Sequence, residues 1–276
     1  MACHLRSISL PTRPSSLVLK VEEELQKLRA CVASPSATAH TVFDGLKGLG
    51  DLYECIKELL CLSSNQNGLF HSNQKKLVEE EMEESIRLLD ICDAMRDNFS
   101  AMKINVQELQ VALRRGGEAA MESKVRAFVR LAKKANKDIK KHSSNKCGSG
   151  SPVEVECGSL KVVRLLTEAR EITISLLQSV SSVLAKQMIK PKTSKLSLVS
   201  RTFNKRRVAC GEEKEDDDAS IFSSYSCKDL NDETALRAQM QLQRLEVIIE
   251  GLENVLECLF RQMIQCRVSL LNICCS

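Results

Sequence analysis

The sequence predicts an all-α fold, an elongated helical bundle of about five or six helices, and three observations carry it. Apolar residues recur three and four positions apart over long stretches, the period of a helix that buries one face. Only seven Phe, two Tyr and five Pro occur in 276 residues, with no Trp, a poor supply for the aromatic and β-branched surfaces of a sandwich. Polar stretches rich in Ser, Gly or Pro punctuate the periodic segments, as loops between helices do.

Residues 1–16 form a Ser/Arg/Pro arm, broken by Pro11 and Pro14 and expected to be disordered. Residues 17–276 then read as one helical-bundle domain. Its first helix is expected over Val18–Val32, with Val21, Leu25 and Leu28 on one face, and Pro35 interrupts it. Thr41-Val42-Phe43-Asp44 has the capping-box pattern, so a second helix is expected from there to Leu62. Leu46, Leu49, Leu52, Ile56, Leu59 and Leu60 mark its apolar face, and Gly45, Gly48 and Gly50 weaken its start. A polar turn follows at 63–72.

The next segment is one of two with the strongest period. Cys92, Met95, Phe99, Met102, Val106, Leu109 and Leu113 alternate three and four apart, a coiled-coil-like a/d seam. Extended back to Asn73, this helix spans about 40 residues, or roughly 60 Å. The acids Glu79–Glu84 read as a solvated run in its first turns and Arg114-Arg115 as its basic end, both complementing the helix dipole. Gly116-Gly117 supplies the cap. From Glu118 to His142 the period returns with Val125, Phe128, Val129, Ala132 and Ile139. A linker is expected at 143–153, then a helix over Val155–Met188 carrying Val163, Leu166, Ile172, Leu176, Val180 and Val183. Residues 190–228 lose periodicity, running from a basic half (Lys190 to Arg207) to an acidic one (Glu212 to Asp218), and are expected to be a disordered charged loop. The last helix, 232–272, carries apolar residues from Leu245 to Leu270 on a stripe broad enough to need neighbours on two sides. It is expected to pack along the helix of 73–114.

Composition narrows the function. A net charge of +4 is small for a nucleic-acid binder, and no aromatics are interleaved with basic residues as stacking platforms require, so no nucleic-acid partner is expected. Thirteen cysteines without a secretory signal read as buried thiols of a reducing compartment, with Cys92, Cys258 and Cys266 on apolar faces. No C-x-x-C pair occurs and the histidines are scattered, so neither metal nor cofactor is expected. Nor is a membrane span, for want of a long apolar run. The acid-free start through Val21 resembles an organellar transit peptide as well as a plain basic tail. The expected compartment is cytoplasmic, with an organelle or the membrane periphery as the alternatives. P-loop, G-x-S-x-G, G-x-G-x-x-G and H-E-x-x-H motifs are all missing, so no catalytic residues are assigned and a non-enzymatic protein is expected.

Three segments are candidate binding elements. Arg6-Ser7-Ile8-Ser9-Leu10-Pro11 matches R-S-x-S-x-P, the form that 14-3-3 proteins bind once the second serine is phosphorylated. A phosphate on Ser9 would add nearly two negative charges for an arginine cluster, and Arg6 stands where basophilic kinases want a cation. A Ser9-phosphorylated peptide of Met1–Leu17 without affinity for a 14-3-3 protein would end that reading. Second, Lys124, Arg126, Arg130, Lys133, Lys134, Lys137, Lys140 and Lys141 stand against a single acid, Asp138, on one helix. With an apolar face opposite, that helix suits an anionic membrane, calmodulin, or merely a solvated bundle face. Third, Cys274 and Cys275 beside an amphipathic helix are candidates for acylation. They do not form a prenylation box, and Ala2 offers no myristoylation glycine.

Three blocks also occur in order along the chain: H-L-R-S-I-S-L-P-T-R-P from His4, L-L-D-I-C-D-A-M-R-D from Leu88 with L-Q-V-A-L-R-R from Leu109, and G-L-E-N-V-L-E-C-L-F-R-Q-M-I-Q-C-R-V-S-L-L-N-I from Gly251. Together they resemble the plant-specific domain-of-unknown-function family 241, which is grouped with the BYPASS1-like proteins. That resemblance implies a helical, plant-restricted protein with a role in root and shoot development, and it brings no catalytic residues. The expectation is a plant intracellular interaction or regulatory protein. A peripheral membrane protein using the basic helix or the terminal cysteines is the first alternative, and an enzyme the second.

Overall fold

In the computed structural model, which describes residues 16–34, 38–62, 72–143, 158–188 and 232–275, the apolar stripes become six α-helices, and no strand occurs among the described residues. They are α1 (Ser16–Ala33), α2 (Ala39–Cys61), α3 (Ser72–Arg114), α4 (Glu118–Ser143), α5 (Gly158–Met188) and α6 (Asp232–Cys275). The N-terminal arm before Leu17, except Ser16, the charged loop at 190–228 and positions 144–153 of the expected linker lie outside the described residues.

The bundle is a ring of packed neighbours. α2 packs on α6, α6 on α3, α3 on α4, α4 on α5 and α5 back on α2, while α3 and α5 also touch across the ring and α1 covers α2 and α5. α3 and α6 form the most extensive pairing, as the two broad stripes predict. Their 43 and 44 residues make each about 65 Å long. From Cys92 to Leu109 every residue of the a/d seam is buried, and only Leu113, at the end, is half-exposed. All six helices contribute to one continuous apolar cluster, with Phe99 and Phe128 its largest fully buried side chains.

One helix cap and one placement of charge differ from the sequence reading. α2 begins at Ala39, ahead of Thr41, with Thr38 in extended backbone as its N-cap. The Thr38 hydroxyl accepts from the Thr41 amide at 3.2 Å, and the Thr41 hydroxyl accepts from the Thr38 amide at 2.9 Å, so the box is Thr38–Thr41. Asp44 lies a turn further in, 2.7 Å from His40 Nδ1. α3 begins at Ser72, which puts Glu79–Glu84 beyond its first turn and out of reach of the helix dipole. Its far end follows the sequence. Gly116 adopts φ 65°, its amide donates to Leu113 O, and the Gly117 amide reaches back to Ala112 O, the two bonds of a Schellman cap.

The glycines of α2 are not equivalent. A Cβ on Gly45 would lie 2.9 Å from Leu176 Cδ2 and 3.2 Å from Cys31 Sγ, whereas one on Gly50 would meet nothing within 4 Å. Gly50→Ala should therefore stabilise the chain by about 0.5–1 kcal/mol through the smaller backbone entropy lost on folding. Gly45→Ala should forfeit that gain or reverse it. Urea midpoints test both, and equal stabilisation by the two would contradict the packing described.

Candidate functional site

The basic helix divides into two parts. Met121, Phe128, Ala132, Ala135 and Ile139 of α4 are buried against α3 and α5. The apolar face that would enter a bilayer is thus consumed by the core. Lys124 pairs with Glu108 of α3 at 2.6 Å, which ties it to the bundle, while Arg126 forms an exposed pair with Glu122 one turn away on α4. Arg130, Lys133, Lys134, Lys137, Lys140 and Lys141 are exposed. Among the described residues Arg130, Lys133, Lys134, Lys137 and Lys141 make no ion pair, and the lone acid, Asp138, is half-buried. This is a cationic strip about three turns long on a rigid support.

The other candidates fare differently. Arg6, Ser7, Ser9 and Pro11 lie outside the described residues. Cys274 is half-buried with its Sγ 3.6 Å from Met82 Sδ on α3, turned toward the bundle. The side chain of Cys275 lies outside the described residues. Of the cysteines expected on apolar faces, Cys92 and Cys266 are buried, and burial pushes both thiols up to about 12, far from the thiolate that nucleophilic chemistry needs. Cys258 is exposed, because its position on α6 lies between the stripe of Leu252, Leu256 and Leu259 and the solvent side. Among the described residues no three His, Cys, Asp or Glu side chains are grouped as metal ligands, and no helix is long and apolar enough to cross a membrane.

A polar cluster inside the bundle has no counterpart in the sequence reading. Glu81, which belongs to the acidic run expected to be solvated, is only 6% exposed. It accepts from Thr167 Oγ1 at 3.0 Å and from Arg170 Nε at 3.3 Å, while Arg170 also reaches Glu84 at 3.4 Å. Burial raises the Glu81 carboxyl, with the Arg170 charge opposing it. Nearby, Arg267 of α6 donates to Ser85 Oγ at 2.7 Å and to the Met82 carbonyl. Tyr53 and Thr173 share a hydrogen bond at 3.3 Å, and Cys266 donates to the Tyr53 carbonyl at 3.0 Å. Tyr53, Glu81, Ser85, Arg170, Cys266 and Arg267 line a cavity of ≈ 20 Å³, room for about one water molecule and not for an organic substrate. A sequence signal for Glu81 does exist. It stands three residues after Val78 and seven before Leu88, in heptad register with the buried seam.

Charge also orders the α3–α6 interface. Arg96 pairs with Glu257 at 2.9 Å and lies 5.5 Å from the Phe260 ring centroid, Lys103 meets Glu253 at 3.4 Å, and Gln107 and Gln110 both donate to Glu246. α3 supplies cations and amides here and α6 supplies carboxylates, which fixes the register of the pair more than it stabilises it.

A family model described as Protein BPS1 matches residues 45–273, from the middle of α2 almost to the end of α6. No curated protein and no solved structure matches the chain.

Proposed function

The chain belongs to the BPS1 family, and from that premise we propose that it is a non-enzymatic regulator of plant root and shoot development, acting inside the cell by docking partners. Support comes from one observation above all, the exposed cations of α4 on a face whose opposite side is locked into the core. Such a strip attracts an acidic partner by long-range charge and orients it, while the helix beneath loses no ordering entropy on binding. The Ser9 motif adds a phosphorylation-dependent contact to a 14-3-3 protein.

Proximity labelling in root and shoot cells tests this reading with three chains: the natural sequence, Lys133→Gln/Lys134→Gln/Lys137→Gln/Lys141→Gln, and Ser9→Ala. The quadruple variant should lose its acidic partners several-fold, and Ser9→Ala should lose 14-3-3 proteins selectively. An identical set of labelled proteins from all three chains would refute both contacts. A membrane-peripheral reading rests on the same strip, where each exposed cation contributes about 1 kcal/mol near an anionic surface. It requires co-sedimentation with phosphatidylserine vesicles that rises with anionic lipid and falls with salt. Binding indifferent to both would remove it.

A further inference from the structure

The exposed face shared by α3 and α4 carries both signs of charge in separate rows. Glu108 of α3 and Lys124 of α4 join the two helices at 2.6 Å. Asp97 and Asp90 lie eleven and eighteen residues before Glu108, about three and five whole turns, so they keep to its side of α3. Lys134 and Lys141 lie ten and seventeen residues beyond Lys124 on α4. The two helices pack antiparallel across the turn at Gly116-Gly117. Asp97 therefore stands within about 2 Å of the height of Lys134, and Asp90 within about 2 Å of that of Lys141. All four are exposed, and none forms a salt bridge among the described residues. Asp93, between the two acids, pairs with Arg96, whose charge also feels Asp97.

This pattern restricts what can lie on the face. A uniformly acidic surface drawn to Lys134 and Lys141 would bring like charge against Asp90 and Asp97. The matching surface carries both signs in reversed order, in rows spaced as two packed helices are, about 8–10 Å. A second copy of the chain supplies it. A two-fold rotation about an axis parallel to the helices sets α3 of each copy on α4 of the other and leaves heights unchanged. Asp97 then meets the partner's Lys134 and Asp90 the partner's Lys141, each twice, as in any isologous contact. Ile104, 57% exposed on α3, is covered near the partner's Arg130, whose carbon stem gives it apolar surface. Between Asp90 and Ile104 the face measures roughly 20 Å by 20 Å. Twice that area belongs to the weak, transient class of interface, so charge decides whether it forms.

We propose that the α3–α4 face is a self-association surface whose partner is a second copy of this chain, in a two-fold, salt-sensitive dimer. This deepens the docking reading above and rests on its claim that the α4 cations form a contact surface.

Sedimentation velocity of the full chain tests it at about 50 mM and about 500 mM salt, where screening is weak and strong. The expected result is a dimer at low salt that returns to the monomer at high salt. Asp90→Lys/Asp97→Lys and Lys134→Glu/Lys141→Glu should each weaken association at least about tenfold, because four exposed pairs turn from attraction to repulsion. The chain with all four substitutions has its rows exchanged. It should dimerise with itself as the natural chain does, and not with the natural chain. Unchanged helical circular dichroism shows that each variant is folded. The proposal is overturned by a natural chain that stays monomeric at low salt, by a dimer indifferent to salt or to either reversal, or by a fourfold variant that stays monomeric. A monomeric chain whose labelled partners still depend on Lys133, Lys134, Lys137 and Lys141 overturns self-association alone and leaves the docking reading standing. The occupant is then another acidic protein, or a membrane if anionic vesicles capture the chain.

Discussion

Phe99→Ala should destabilise the bundle by about 3–5 kcal/mol, the range for truncating a fully buried aromatic ring. Phe99 is 0% exposed and stands in the middle of the α3 seam between Met95 and Met102, both also buried. Long helices on either side hold the backbone apart, so the cavity cannot collapse and its unfilled volume adds to the lost transfer energy. For a total stability of the usual 5–15 kcal/mol, that is a large share of the whole. Two controls separate packing from mere hydrophobicity. Phe99→Leu retains much of the volume and should cost about 1.5 kcal/mol or less. Phe260→Ala, at a half-exposed ring touching Arg96, should cost less than Phe99→Ala. Urea unfolding followed by helical circular dichroism should show the midpoint falling at constant slope. A loss under about 1 kcal/mol for Phe99→Ala would mean that α3 does not pack along this seam.

The seam shows why the fold is legible in the sequence. A helix that buries one stripe repeats its apolar residues with the period of the helix itself, and chain separation does not blur that signal. Val21 and Leu25 in α1, Leu46 to Leu60 in α2, and Leu166 and Leu176 in α5 stand out by spacing alone, and all the residues that spacing marks there are buried. Helix starts are harder, because Thr38 and Thr41 both carry hydroxyls and only backbone geometry decides which one caps α2. The polar interior is hardest. Heptad register with Val78 and Leu88 turns Glu81 inward, but its partners Thr167 and Arg170 lie far along the chain, so nothing within the acidic run shows what pairs with it.

Arg170→Met tests whether Glu81 owes its ionised form to this one long-range partner. Glu81 is already raised from its ordinary value of 4.5 by burial, and the Arg170 charge is the largest influence that holds it down. Removing Arg170 leaves a carboxyl that must either stay charged in an apolar wall or take up a proton. At pH 7 the loss should be about 3 kcal/mol, the lower end for breaking a buried pair, because protonation and the cavity offer partial relief. Its sign with pH follows from proton counting. Between 4.5 and the raised folded value the native state binds more protons than the unfolded one, so stability falls as pH rises through that window. Raising the folded value further, as Arg170→Met does, widens the window. The variant's deficit should therefore be small near pH 4 and grow toward pH 7, by at most about 1.4 kcal/mol for each step of one in pH. Glu81→Leu/Arg170→Met should recover to within about 1 kcal/mol of the natural chain, since well-packed apolar residues commonly replace a buried ion pair without loss. With Glu81 gone the Thr167 hydroxyl donates to the Val163 carbonyl, 3.1 Å away, and Glu84 keeps Arg87, so the double variant orphans neither. A deficit independent of pH, or a double variant no better than Arg170→Met, would show that Arg170 acts through packing and not through its charge on Glu81.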